Sequence, residues 1–128
     1  VPLASYTSVS GIPLSQLLSQ DRIDALVERT RKGGAEIVGL LKTGSAYYAP
    51  SSAIVQMVDA IVKNKRRILP CAAWLEGEYG MEDLYLGVPC KLGAGGLVEI
   101  VEVELTATER AELEKSAASV HETMGALA

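Results

Sequence analysis

Apolar positions in the first third of the chain recur with helical spacing. A short helix is predicted over residues 14–18 and a longer one over residues 23–41, with Ser19 or Asp21 as its cap. Two adjacent glycines at 33–34 weaken a helix, so we expect a kink or close packing there. The apolar face of the longer helix consists of Ile23, Leu26, Val27, Ile37, Leu40 and Leu41.

Segment 54–63 predicts a helix that is apolar on most sides. Its polar positions, Gln56, Asp59 and Lys63, form one narrow stripe. Such a helix is buried on most sides, and a small domain rarely surrounds one. We therefore expect part of it to contact another subunit or a further part of the protein. The cations at 63–67 suit a helix C-terminus, and a nucleic-acid patch is the alternative.

The pattern then changes to that of strands. Strands are predicted over 67–75, 83–92 and 97–105, joined by a turn at 76–80 and a tight connection at 93–96. Pro70 favours an edge position, and Gly87 with Pro89 indicates irregularity or an edge. Three consecutive strands with short turns form an antiparallel meander.

A last helix begins at a capping box, in which Thr106 is the N-cap and Glu109 stands three residues on. The predicted fold class is α/β of the α+β type, with long helices packed on an antiparallel meander. The apolar face of the last helix steps by three and four residues through Leu113, Ala117, Val120, Met124 and Leu127.

The composition limits the classes of function that the chain can have. The 128 residues allow one domain, and the net charge of −4 argues against a nucleic-acid-binding face. Mean hydropathy is +0.20, and no uncharged apolar run is long enough for a membrane span. Cys71 and Cys90 suit buried, reduced thiols and a reducing cytosol, with one disulfide as the alternative. The start at Val1 carries no targeting pattern, and its lack of Met suggests a piece of something longer.

Catalytic and metal-binding patterns are scarce. The one histidine, His121, has no nucleophile with an orienting carboxylate placed around it in the sequence, so a surface or boundary position is expected. A histidine and two separated cysteines do not make a zinc site, and no metal is predicted. The acidic cluster at 76–83 lacks calcium-loop spacing and suits a solvated loop. The glycines at 93–96 join two strands and suit a hairpin rather than a phosphate loop.

Segment 42–50 combines small, polar and aromatic residues. One interpretation is a helix entry, with Ser45 as the cap and Pro50 in or near the first turn. The other is a pocket wall, where Gly44 and Ala46 leave room for a ligand and Ser45 offers a hydroxyl. The residues alone leave both open.

Several long motifs resemble the malate dehydrogenases, in particular the bacterial group related to lactate dehydrogenase. The resemblance covers essentially the whole chain in order and spacing. The stretch from Val1 to Pro13 resembles the one that follows the catalytic His-Gly-Asp motif of that group. The other matching segments are Gly44 to Pro50, Leu69 to Ala73, Leu75 to Gly80 and Leu84 to Pro89.

The resemblance implies an NAD-dependent enzyme of the tricarboxylic acid cycle that interconverts L-malate and oxaloacetate. It implies an N-terminal Rossmann domain, a C-terminal substrate domain to which residues 1–128 belong, and a cytoplasmic dimer or tetramer. Ser45 and Ala46 match positions near the substrate, and Pro50 matches one beside the nicotinamide ring. The catalytic histidine, the substrate arginines and the NAD fingerprint match nothing in this chain, so no catalytic residue is assigned and the chain alone is expected to be inactive.

Two alternatives remain. A stand-alone, non-catalytic oligomerisation or binding module would reuse the domain without the reaction. A lactate dehydrogenase parent is the lesser alternative, since segment 44–50 fits the malate enzymes better.

Overall fold

The computed structural model describes residues 1–126, which divide into two compact units. One unit spans residues 2–49, and the other begins at Pro50 and includes Val1.

The unit of residues 2–49 is mainly one long helix. A 3-10 turn (Ala4–Tyr6) leads into a small antiparallel hairpin, β1 (Ser8–Val9) and β2 (Ile12–Pro13). The predicted short helix is α1 (Leu14–Leu17), and the long one is α2 (Gln20–Leu41), with Ser19 at its N-cap position.

Helix α2 continues through Gly33 and Gly34, so the two glycines do not interrupt it, and the kink stays a prediction. Close packing at these glycines is not present within residues 1–126, because a Cβ built at either glycine would meet no atom there within 4 Å. The i→i−4 hydrogen bonds of a 22-residue helix continue across two weak positions. Lys42, in the left-handed conformation with φ of 62°, ends the helix and donates its N–H to the Val38 carbonyl.

The predicted apolar helix is α3 (Tyr48–Val62), of which only Ala60 is buried among the described residues. Its exposed side carries an apolar stripe, here called the α3 face: Ile54, Val55, Val58 and Val62. Within residues 1–126 the helix is therefore exposed on most sides rather than buried on most sides, and its contact with another subunit or a further part of the protein stays a prediction.

The meander is confirmed as a three-stranded antiparallel sheet in the order β3 (Arg67–Glu76), β4 (Glu82–Gly93) and β5 (Gly96–Ile100). A 3-10 turn (Glu78–Gly80) joins β3 to β4, and a two-residue turn joins β4 to β5. One face of the sheet packs on α4 (Ala107–Gly125), and α3 adds residues to the same core. The buried core consists of Ala60, Ala73, Leu75, Tyr79, Leu84, Leu86, Val88, Cys90, Leu92, Leu113 and Ala117.

The two strand prolines occupy different positions. Pro70 lies on β3, an edge strand, as predicted. Pro89 lies on the central strand β4, so an edge position for it is wrong. Its carbonyl accepts from the N–H of Val101 at 2.8 Å, so its backbone faces the side where β5 ends at Ile100. The missing proline N–H therefore falls beyond the last ladder pair.

The third strand is shorter than predicted, since it ends at Ile100 rather than Leu105. The N-terminus of α4 follows the prediction. Thr106 and Glu109 exchange both capping-box hydrogen bonds, and Glu109 is buried. Leu113 and Ala117 face the core, whereas Leu127 lies outside the described residues.

Candidate functional site

The candidate site residues lie around the start of α3. Ser45 and Ala46 are neighbours in the irregular segment between α2 and α3; Ser45 is exposed and Ala46 half-buried. Pro50 is exposed and belongs to the other compact unit. The structure thus brings the first two together in one loop and places the third in the first turn of α3.

The start of α3 tests both parts of the helix-entry interpretation, the cap at Ser45 and the position of Pro50. Helix α3 begins at Tyr48, three residues after Ser45, so Ser45 as its N-cap is wrong. Pro50 in the first turn is confirmed; a helix tolerates proline there because the first N–H groups have no intrahelical partner. Gly44 has φ of 84° and open space around it, and no residue of 1–126 hydrogen-bonds the Ser45 hydroxyl. The hydroxyl is thus free to meet a ligand.

Other titratable groups do not assemble into a reactive centre in the part of the chain that the structure describes. No group of three or more His, Cys, Asp or Glu side chains there could hold a metal ion. His121 is exposed on α4. In the acidic cluster, Glu78 accepts the backbone N–H of Glu76 at 2.7 Å, which helps to lower its pKa.

The two cysteines are free thiols, and Cys90 is buried as predicted, whereas Cys71 is only half-buried. Cys90 is buried and donates its S–H to the Val88 carbonyl at 3.4 Å. Burial raises its pKa to about 11, and burial also raises the pKa of the half-buried Cys71. Both thiols therefore stay protonated at neutral pH and make poor nucleophiles.

The C-terminal end of α3 carries a charge cluster. Asp59 accepts from Lys63 at 2.6 Å and from Lys65, and these hydrogen bonds lower its pKa to about 2. The predicted cation cluster is thus tied to the helix end. Among residues 1–126, no helix is long and apolar enough to cross a membrane.

Comparison with known families decides what this architecture is. Residues 1–127 match the lactate/malate dehydrogenase family, alpha/beta C-terminal domain. The chain belongs to this family. The predicted fold class and the resemblance are thereby confirmed.

The curated relatives are malate dehydrogenases. The enzyme of Roseiflexus sp. (strain RS-1) is 58% identical over 127 residues, and that of Bacillus israeli is 60% identical. Each match covers 99% of this chain and 41% of the relative. The chain therefore spans about two fifths of the length of the relatives it matches.

Solved structures of malate and lactate dehydrogenases also match this chain. Malate dehydrogenase from Salinibacter ruber matches with a TM-score of 0.95 at 54% identity, over 99% of this chain and 41% of that chain. Lactate dehydrogenase from Eimeria maxima, solved with NADH and oxamate, matches with a TM-score of 0.93 at 34% identity. That match covers 98% of this chain and 41% of the other.

The sequence patterns did not single out the outer face of the sheet. Strand β3 presents Ile68, Pro70, Ala72 and Trp74 to solvent at every second position. The alternation of these residues with the buried ones could have indicated an exposed face, but both faces of β3 carry apolar residues, so the sequence does not distinguish them.

Proposed function

We propose that this chain is the C-terminal part of an NAD-dependent L-malate dehydrogenase, which oxidises L-malate to oxaloacetate reversibly in the tricarboxylic acid cycle. The relatives of highest identity carry the proposal. The curated relatives at 56–60% identity are malate dehydrogenases, and so are the solved structures at 54% and 44% identity, whereas the solved lactate dehydrogenases are 34% and 39% identical. Residues 1–128 then form the larger part of the substrate domain.

In this proposal, Ser45 and Ala46 line the substrate side of the pocket and Pro50 lies beside the nicotinamide. The small side chains at 44–46 and the free Ser45 hydroxyl suit a wall that a flat ring or a small diacid can approach. When bound, the nicotinamide exchanges a hydride with the C2 carbon of malate. Residues 44–50 shape and desolvate this space.

Proton transfer and carboxylate binding fall to residues that this chain does not match. His121 is exposed on the last helix and does not correspond to the catalytic histidine of the family. We therefore infer that the chain alone is inactive, and that the acid–base histidine and the substrate arginines come from the remaining three fifths of the enzyme.

The α3 face supports the proposed partners. Ile54, Val55 and Val58 are each more than half exposed, and Val62 is 76% exposed. An apolar stripe of this extent favours contact with a protein surface. In a cytoplasmic malate dehydrogenase, the Rossmann domain or a second subunit would cover it, giving a dimer or tetramer.

The test is a chimera in which this chain replaces the matching C-terminal part of the Salinibacter ruber malate dehydrogenase. We expect oxaloacetate-dependent NADH oxidation, measured at 340 nm, and slower turnover of pyruvate. Ala46→Leu should lower kcat/KM by at least about tenfold by filling the pocket, whereas Ala118→Leu, exposed on α4, should leave it unchanged.

Other results would favour the alternatives. Faster turnover of pyruvate than of oxaloacetate would indicate a lactate dehydrogenase. A folded chimera without activity on either acid would contradict the proposal and favour a non-catalytic oligomerisation module. Equal activity of the two leucine variants would remove residue 46 from the pocket.

A further inference from the structure

We draw no further inference here: the strongest candidate, the apolar α3 face of Ile54, Val55, Val58 and Val62, carries none because nothing in the structure shows what covers it.

Discussion

Tyr79 holds the segment that follows β5. Its hydroxyl donates to the Val101 carbonyl at 3.0 Å and accepts from the Val103 N–H at 3.1 Å. Its own N–H donates to the Glu102 carboxylate at 2.6 Å. The side chain is buried, and the backbone has φ of 57°. Backbone groups that a longer β5 would pair in the ladder are satisfied by one tyrosine.

Tyr79→Phe should lower the free energy of unfolding by about 1–3 kcal/mol, because it leaves the Val101 carbonyl and the Val103 N–H without their partner. Urea unfolding measures the change. Tyr85→Phe is the control, since its exposed hydroxyl forms no hydrogen bond within residues 1–126. Equal effects of the two substitutions would contradict this role of Tyr79.

The ionisation of Asp59 makes the stability of the folded chain depend on pH in the acidic range. Hydrogen bonds from Lys63 and Lys65 lower its pKa to about 2 in the folded chain. The ionised form therefore stabilises the fold above the unfolded pKa of about 4, and this contribution is lost as pH falls from about 4 to 2. Asp59→Asn should flatten the melting temperature against pH in that window, whereas Glu114→Gln should not. An unchanged profile would show that the cluster is broken by solvent.

At the scale of the element, the start of α4 depends on a local pattern. Thr106→Ala removes the oxygen that accepts the Glu109 N–H at 3.2 Å. We expect a loss of about 1 kcal/mol in urea unfolding. Thr108→Ala, exposed in the first turn, should change stability by less than about 0.5 kcal/mol. A similar loss in both would mean that helix propensity rather than capping matters.

In helix α2, by contrast, a substitution should stabilise the chain. Gly34 has helical geometry and free space where a Cβ would stand. Gly34→Ala should therefore raise stability by about 0.5–1 kcal/mol. Gly77→Ala, at φ of 125°, should lower it, because a side chain is strained there. Thermal unfolding at 222 nm measures both. Destabilisation by Gly34→Ala would indicate a surface packed against that glycine.

At the scale of the whole molecule, the α3 face should make the isolated 128-residue chain self-associate. We expect a mass above the 13.5 kDa of one chain in light scattering, and Val62→Lys should shift it toward one chain. A monodisperse monomer without the substitution would contradict the expectation.

The sequence by itself determined the parts that depend on neighbours along the chain. The spacing of Leu113 and Ala117, the capping box at Thr106 and Glu109, and the turn at 76–80 are short-range patterns, and all three are present. The motif at 44–50 also led to the right family. The sequence could not predict the position and the partners of the candidate site residues Ser45, Ala46 and Pro50, because a pocket joins residues that are distant in sequence.

Tertiary structure decided the rest, because hydrogen bonds and packing across strands override local preference. The Tyr79 hydroxyl hydrogen-bonds the backbone of Val101 and Val103, so β5 ends at Ile100 rather than at Leu105. Pro89 is tolerated in the central strand because its backbone faces the position beyond the end of β5, where no ladder pair needs its missing N–H. Trp74 and Tyr85 share the outer face of the sheet only through the pairing of β3 with β4, which aligns the two residues. Periodicity assigns each strand two faces, but only the register between strands decides which residues share a surface.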